Sequence, residues 1–86
     1  MKNIFVGNLD SGANRKLLRS LFTPHGTVHK VKVMVDRNTG VSRGFAFVEM
    51  VEVEARRAIA ALYGTTVDGR ALDVHEGRPQ LHRHGA

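Results

Sequence analysis

The chain contains no cysteine, which excludes disulfides, thiolate metal sites and a thiol nucleophile. It has no apolar run near the roughly 18 residues that a membrane span needs. Met1-Lys2-Asn3 leads straight into a strand-like segment, without the apolar stretch of a signal peptide. These absences predict a protein inside the cell, in the cytoplasm, with no membrane partner. No Ser/His/Asp set, phosphate-cradling glycine loop or pocketed carboxylate pair is evident, so catalysis is not expected. The five histidines do not form ligand pairs at metal spacing. His82 and His84 are near neighbours at the end of the chain, while His25, His29 and His75 are scattered. They are read as solvated side chains, and no cofactor is expected.

What the chain does have is positive charge. Thirteen Lys and Arg against eight Asp and Glu give +5, a balance that favours polyanionic partners. Its 86 residues suit a single domain, expected to be a monomer with a modest core.

Residues 4–7, Ile4-Phe5-Val6-Gly7, suit a first strand bounded by Asp10-Ser11-Gly12. Asn14 suits the N-cap of a helix running to about Phe22, with Leu18, Leu21 and Phe22 on its buried stripe. Pro24 and Gly26 end it. Arg15 and Lys16 open that helix, where the dipole prefers acids. Val31, Val33 and Val35 alternate with Lys30, Lys32 and Met34, predicting a second strand with the valines inward. Asp36-Arg37-Asn38-Thr39-Gly40 is turn chemistry. A second helix is expected from about Val53 to Tyr63, with Ala55, Ala58, Ile59 and Leu62 inward. Ala71 to His75 suits a last strand, with Leu72 and Val74 inward.

The stretch Arg43-Gly44-Phe45-Ala46-Phe47-Val48-Glu49-Met50 is the most informative. Residues two apart on a strand share a face. Gly44, Ala46, Val48 and Met50 therefore make a small apolar face suited to a core. Arg43, Phe45, Phe47 and Glu49 make an aromatic, charged face, the combination that single-stranded nucleic acid binds. The element order strand, helix, strand, strand, helix, strand predicts an α+β, ferredoxin-like split βαβ sandwich. Both helices then cover one face of a four-stranded antiparallel sheet. Phe5, Phe45 and Phe47 fall on the face left bare. Exposed aromatics on such a surface mark a binding site.

The chain resembles the RNA-recognition-motif family. Residues 43–50 match the family octamer of basic, Gly, aromatic, small, aromatic and aliphatic residues, and Ile4-Phe5-Val6-Gly7-Asn8-Leu9 matches the companion hexamer. The likeness covers about residues 2–78 and is of the small bacterial type. It implies binding of short single-stranded RNA, about two to four nucleotides, on the open sheet. By resemblance, Phe5 and Phe47 each stack beneath a base, Phe45 packs against sugars and Arg43 pairs with a phosphate. The family pairing of strands one and three sets Phe5 beside Phe47. It also makes Gly7 face Phe45 and leaves room for a ribose. Lys2, Lys32 and Met34 lie on or beside this face, and His75 and Arg78 lie where the family often closes over a base. Two stacked bases and one phosphate contact give affinity on the order of micromolar at best.

The departures from the pattern are Met50 in place of a terminal aromatic and the carboxylates Glu49 and Asp73 on the open face. Carboxylates repel backbone phosphate but accept hydrogen bonds from base amino groups. The domain is expected over residues 1–77, with a flexible basic tail over 78–86. Two other readings stay open. Single-stranded DNA offers the same bases and phosphates, and a protein-interaction module could use the basic first helix and Leu17.

Overall fold

The computed structural model describes residues 1–77, and of Ser42 the backbone alone. The elements are β1 (Lys2–Gly7), α1 (Arg15–Phe22), a short 3-10 turn (Thr23–His25), β2 (Lys30–Val35), β3 (Ser42–Met50), α2 (Glu52–Leu62), β4 (Thr66–Val67), β5 (Arg70–Ala71) and β6 (Asp73–Glu76). Strands β2, β3, β1 and β6 form one sheet in that order, every neighbouring pair antiparallel. This is the split βαβ arrangement, with β1 and β3 at the sheet centre and β2 and β6 at its edges.

Local chemistry places the helices. Asn14 has extended backbone and its side-chain oxygen accepts from the Leu17 N–H at 2.9 Å, a regular N-cap. The first turn of α1 holds no acid, so the Asn14 cap on the Leu17 N–H is the side-chain support at this helix start. In α2 no side chain caps the start, but Glu52 and Glu54 occupy the first turn, where negative charge is favourable. Glu54 Oε1 also accepts from the Thr27 N–H at 3.0 Å, tying α2 to the loop that leads into β2. Both helices lie within about a residue of the expected spans.

The core lies between the helices and one sheet face. Ile4, Val6, Ala46, Val48, Met50 and Val74 come from the strands, Leu18 and Phe22 from α1, and Ala55 and Ala58 from α2, all fully buried. The two alanines let α2 approach the sheet closely, and Phe22 supplies the largest side chain of the same core. Met50 is in this core, as its parity requires.

Two details differ from the expectation. The last strand is two pieces. Leu72 donates to Thr65 O and accepts from the Gly64 N–H, so β5 belongs to a separate hairpin with β4. Asp68 and Gly69 turn that hairpin with φ of 52° and 80°, the two positive values of a type I′ turn. Val35, expected inward, is exposed at 47 %. The ladder steps from Val33–Ala46 to Val35–Ser42, so β3 carries extra residues there and the alternation of β2 is lost. Gly44, with φ of +91°, lies inside that bulge and takes a conformation other residues avoid.

Candidate nucleic-acid interface

The register builds the site. Lys32 pairs with Phe47, Phe47 with Phe5, and Phe5 with His75. One row of side chains thus crosses all four strands on the helix-free face, about 14 Å at ~4.8 Å per strand spacing. Phe5 is the hub of this row. Its ring is stacked with His75 (centroids 4.8 Å apart, planes at 25°) and with Phe45 (5.8 Å, 27°). Phe47 stands edge-on to Phe5 (5.8 Å, 67°) and to Phe45 (6.0 Å, 88°). The three phenylalanines are half-buried by one another and His75 is exposed. Among the described residues no helix covers them.

Gly7 sets the tilt of the Phe5 ring. A Cβ on Gly7 would stand 2.6 Å from Phe5 Cε2, so the ring leans along β1 into space that only glycine leaves. The expectation that this space receives a ribose is therefore corrected: Phe5 itself fills it.

The charged residues divide. The Arg43 guanidinium carbon lies 5.9 Å from the Phe45 centroid, within cation–π range. Arg43 and Lys32 are exposed. Met34 follows Val33, whose partner Ala46 is in the core, so the register puts Met34 on the open face, half-buried. Lys2 is elsewhere. It shares parity with Ile4 and Val6 and pairs with buried Met50, and its ammonium lies 2.8 Å from Glu76 Oε2. Strand alternation sends it to the helix-bearing side, so its expected place on or beside the open face is corrected. Arg78, with the rest of the tail 78–86 and its His82 and His84, lies outside the described residues.

Two carboxylates lie on the open face. Asp73 is opposite Gly7 and its Oδ1 is 3.8 Å from His75 Nε2. Glu49 is between Lys30 and Asn3 in the ladder. In the loop after β2, Asp36 Oδ1 accepts from the N–H groups of Asn38 (2.8 Å) and Thr39 (3.1 Å). These bonds hold its carboxyl below its usual value of 3.8.

Some neighbours of the site were not singled out from the sequence. Asn8, with φ of 60°, donates from Nδ2 to Ala71 O (2.8 Å) and accepts at Oδ1 from Arg70 (3.1 Å). This ties the β4–β5 hairpin to the end of β1 and brings Arg70 to a polar cleft of about 430 Å³ shared with Asp10 and Arg43. The signal available was Asp68-Gly69, which fixes a tight turn immediately before Arg70. Among the described residues no cluster of acids and histidines could hold a metal, and no helix is long and apolar enough to cross a membrane.

Comparison with known proteins adds the family. The family model for the RNA recognition motif matches residues 4–73. The chloroplastic 28 kDa ribonucleoprotein of Spinacia oleracea is 49 % identical over 80 residues, 90 % of this chain but 34 % of that protein. The putative RNA-binding protein RbpB of Nostoc sp. is 41 % identical over 98 % of this chain and 82 % of its own length. Among solved structures, the Sex-lethal protein–RNA complex superposes with a TM-score of 0.86 at 35 % identity, over 91 % of this chain and 47 % of that one. The chain thus spans about a third of the spinach protein and most of the Nostoc one. With that match, the paired octamer and hexamer on adjacent strands, and the four-stranded sheet backed by two helices, the chain belongs to the RNA-recognition-motif family.

Proposed function

We propose that this domain binds short single-stranded RNA across the open sheet face, without catalysis. One observation carries the reading: Phe5, Phe45 and Phe47, with His75, form a continuous aromatic surface on the face that, among the described residues, no helix covers. Unpaired bases have apolar faces to stack on such rings, whereas duplex RNA keeps those faces buried. Phe5 and Phe47 are the base seats, Phe45 the contact for sugar, and Lys32 and Arg43 the partners of phosphate. Met34 and His75 border the path of the chain. The relatives named for RNA binding or ribonucleoprotein, and the RNA present in the Sex-lethal complex, support this assignment.

The rest of the reading follows from it. The recognition domain comprises residues 1–77, preceding a basic tail over 78–86 that includes Arg78, and acts as a monomer. The proposed location is the cytoplasm; the spinach relative is named chloroplastic. Single-stranded DNA would meet the same rings and cations, and only a contact to the 2′-hydroxyl separates the two.

The test is the double variant Phe5→Ala with Phe47→Ala. At about 1–3 kcal/mol per stacked base, its RNA affinity by fluorescence anisotropy falls below detection while its circular dichroism stays native. An unchanged affinity in the folded double variant rules the reading out.

A further inference from the structure

Beyond stacking, the row next to Phe47 has the means to choose a base. Glu49 follows Phe47 by two residues on the same strand face, about 7 Å along β3. The ladder pairs Glu49 with Asn3 on one side and Lys30 on the other. Both Glu49 and Asn3 are half-buried. Yet among the described residues neither side chain takes part in a hydrogen bond or ion pair. The cross-strand Lys30 does not close on the carboxylate.

The end of β6 completes this corner. The Gly77 N–H donates to Asn3 O at 2.7 Å. A Cβ at Gly77 would lie 3.3 Å from both Asn3 Nδ2 and Phe47 Cδ1. The Asn3 amide and the Phe47 ring therefore border the same spot. Two half-buried polar side chains without a protein partner therefore flank one aromatic seat.

We propose that Glu49 and Asn3 select guanine at the nucleotide stacked on Phe47; the proposal rests on the RNA-binding reading of this face. An ionised carboxylate only accepts hydrogen bonds, through two parallel oxygens. Guanine is the base whose free Watson–Crick edge carries two adjacent donors, N1–H and the N2 amino group. Both can bond one carboxylate in a bidentate pair, the strong geometry for a charged acceptor. Adenine and cytosine place a ring-nitrogen lone pair beside their amino group, facing the second oxygen. Uracil sets a single N–H between two carbonyls. The Asn3 amide can then donate to guanine O6, on the same edge. The repulsion that Glu49 exerts on phosphate is offset only when its acceptors are used, so the same residue disfavours the other bases.

The experiment uses the full chain and end-labelled RNA hexamers: all-uridine, and the same with one internal position changed to guanosine, adenosine, cytidine or inosine. Binding is followed by fluorescence anisotropy. The guanosine hexamer binds about tenfold more tightly than the others, in line with one bidentate base contact. Inosine, which keeps N1–H and O6 but lacks the N2 amino group, loses most of that gain; this comparison needs no variant. Glu49→Gln removes the guanosine preference, so that the guanosine hexamer binds no more tightly than the all-uridine one. Equal affinities for all hexamers, or a guanosine preference that survives both inosine and Glu49→Gln, overturn the selection while RNA binding stands. If no hexamer binds, the reading of the face and the selection fall together.

Discussion

The two faces of the sheet are made by the same strands, one residue out of step. On β1, Ile4 and Val6 point into the core and Phe5 points out; on β3, Ala46, Val48 and Met50 point in while Phe45 and Phe47 point out. The inward residues are aliphatic or small and fully buried, and each is enclosed by helix side chains. The outward ones are the larger rings, half-buried among one another and beside His75 and Arg43. The fourth phenylalanine, Phe22, makes the contrast sharper: same side chain, complete burial on α1. Hydrophobicity therefore does not distinguish the stability residues from the binding residues here. What distinguishes them is whether a helix lies over that side of the strand.

The largest effect expected from breaking this division is at Phe22. Phe22→Ala removes the bulkiest fully buried side chain and costs about 3–5 kcal/mol. That is a large part of the roughly 5–15 kcal/mol that holds a typical domain. Urea denaturation reads it as a fall in midpoint, with RNA affinity of the folded fraction unchanged. A closer comparison uses β3 alone. Met50→Ala costs about 2–5 kcal/mol of stability and little binding. Phe47→Ala costs about 1–3 kcal/mol of binding and little stability. Paired denaturation and anisotropy measurements that give the reverse pattern break the distinction between the faces.

Gly7→Ala tests how finely the open face is set. Its new methyl collides with the Phe5 ring rather than with backbone, so the ring moves off its rotamer at a cost of about 0.5–1.5 kcal/mol. The binding loss is smaller than for Phe47→Ala, and the Phe5 ring resonances shift by NMR. The smallest effect lies away from both faces, at Asp36. Its carboxyl is held below the usual 3.8 by the Asn38 and Thr39 N–H groups. A depressed folded-state value means the contribution is present above the ordinary carboxylate range and is lost as pH falls through the lower folded value. Side-chain NMR titration should place the Asp36 midpoint below 3.8, and Asp36→Ala should remove this acid dependence of the β2–β3 loop.

Much of this was legible beforehand because it depends on residues close in the chain. Alternation in residues 43–50 assigned Phe45 and Phe47 to one face and Val48 and Met50 to the other, and Asn14 marked the start of α1. Lys2 misled: its charge and position at the strand start suggested the binding face, but it has the parity of Ile4 and the carboxylate of Glu76 within reach. Val35 misled for the opposite reason, since a strict alternation does not foresee a bulge in the partner strand. The space beside Gly7 was assigned to a ligand and is taken by a side chain two residues away.

By itself the sequence determined the four strands of the main sheet, the apolar side of most of them, and, through its two motifs, the family to which it belongs; these follow from period-two alternation and local turn and cap chemistry. Only the tertiary structure decided that Lys32, Phe47, Phe5 and His75 fall in one row, that Phe5 leans over Gly7, and that Glu49 and Asn3 are left without partners beside Phe47. Those facts depend on ladder register between strands far apart in the chain. Register is settled by the packing of the whole core against two helices, which no local pattern contains.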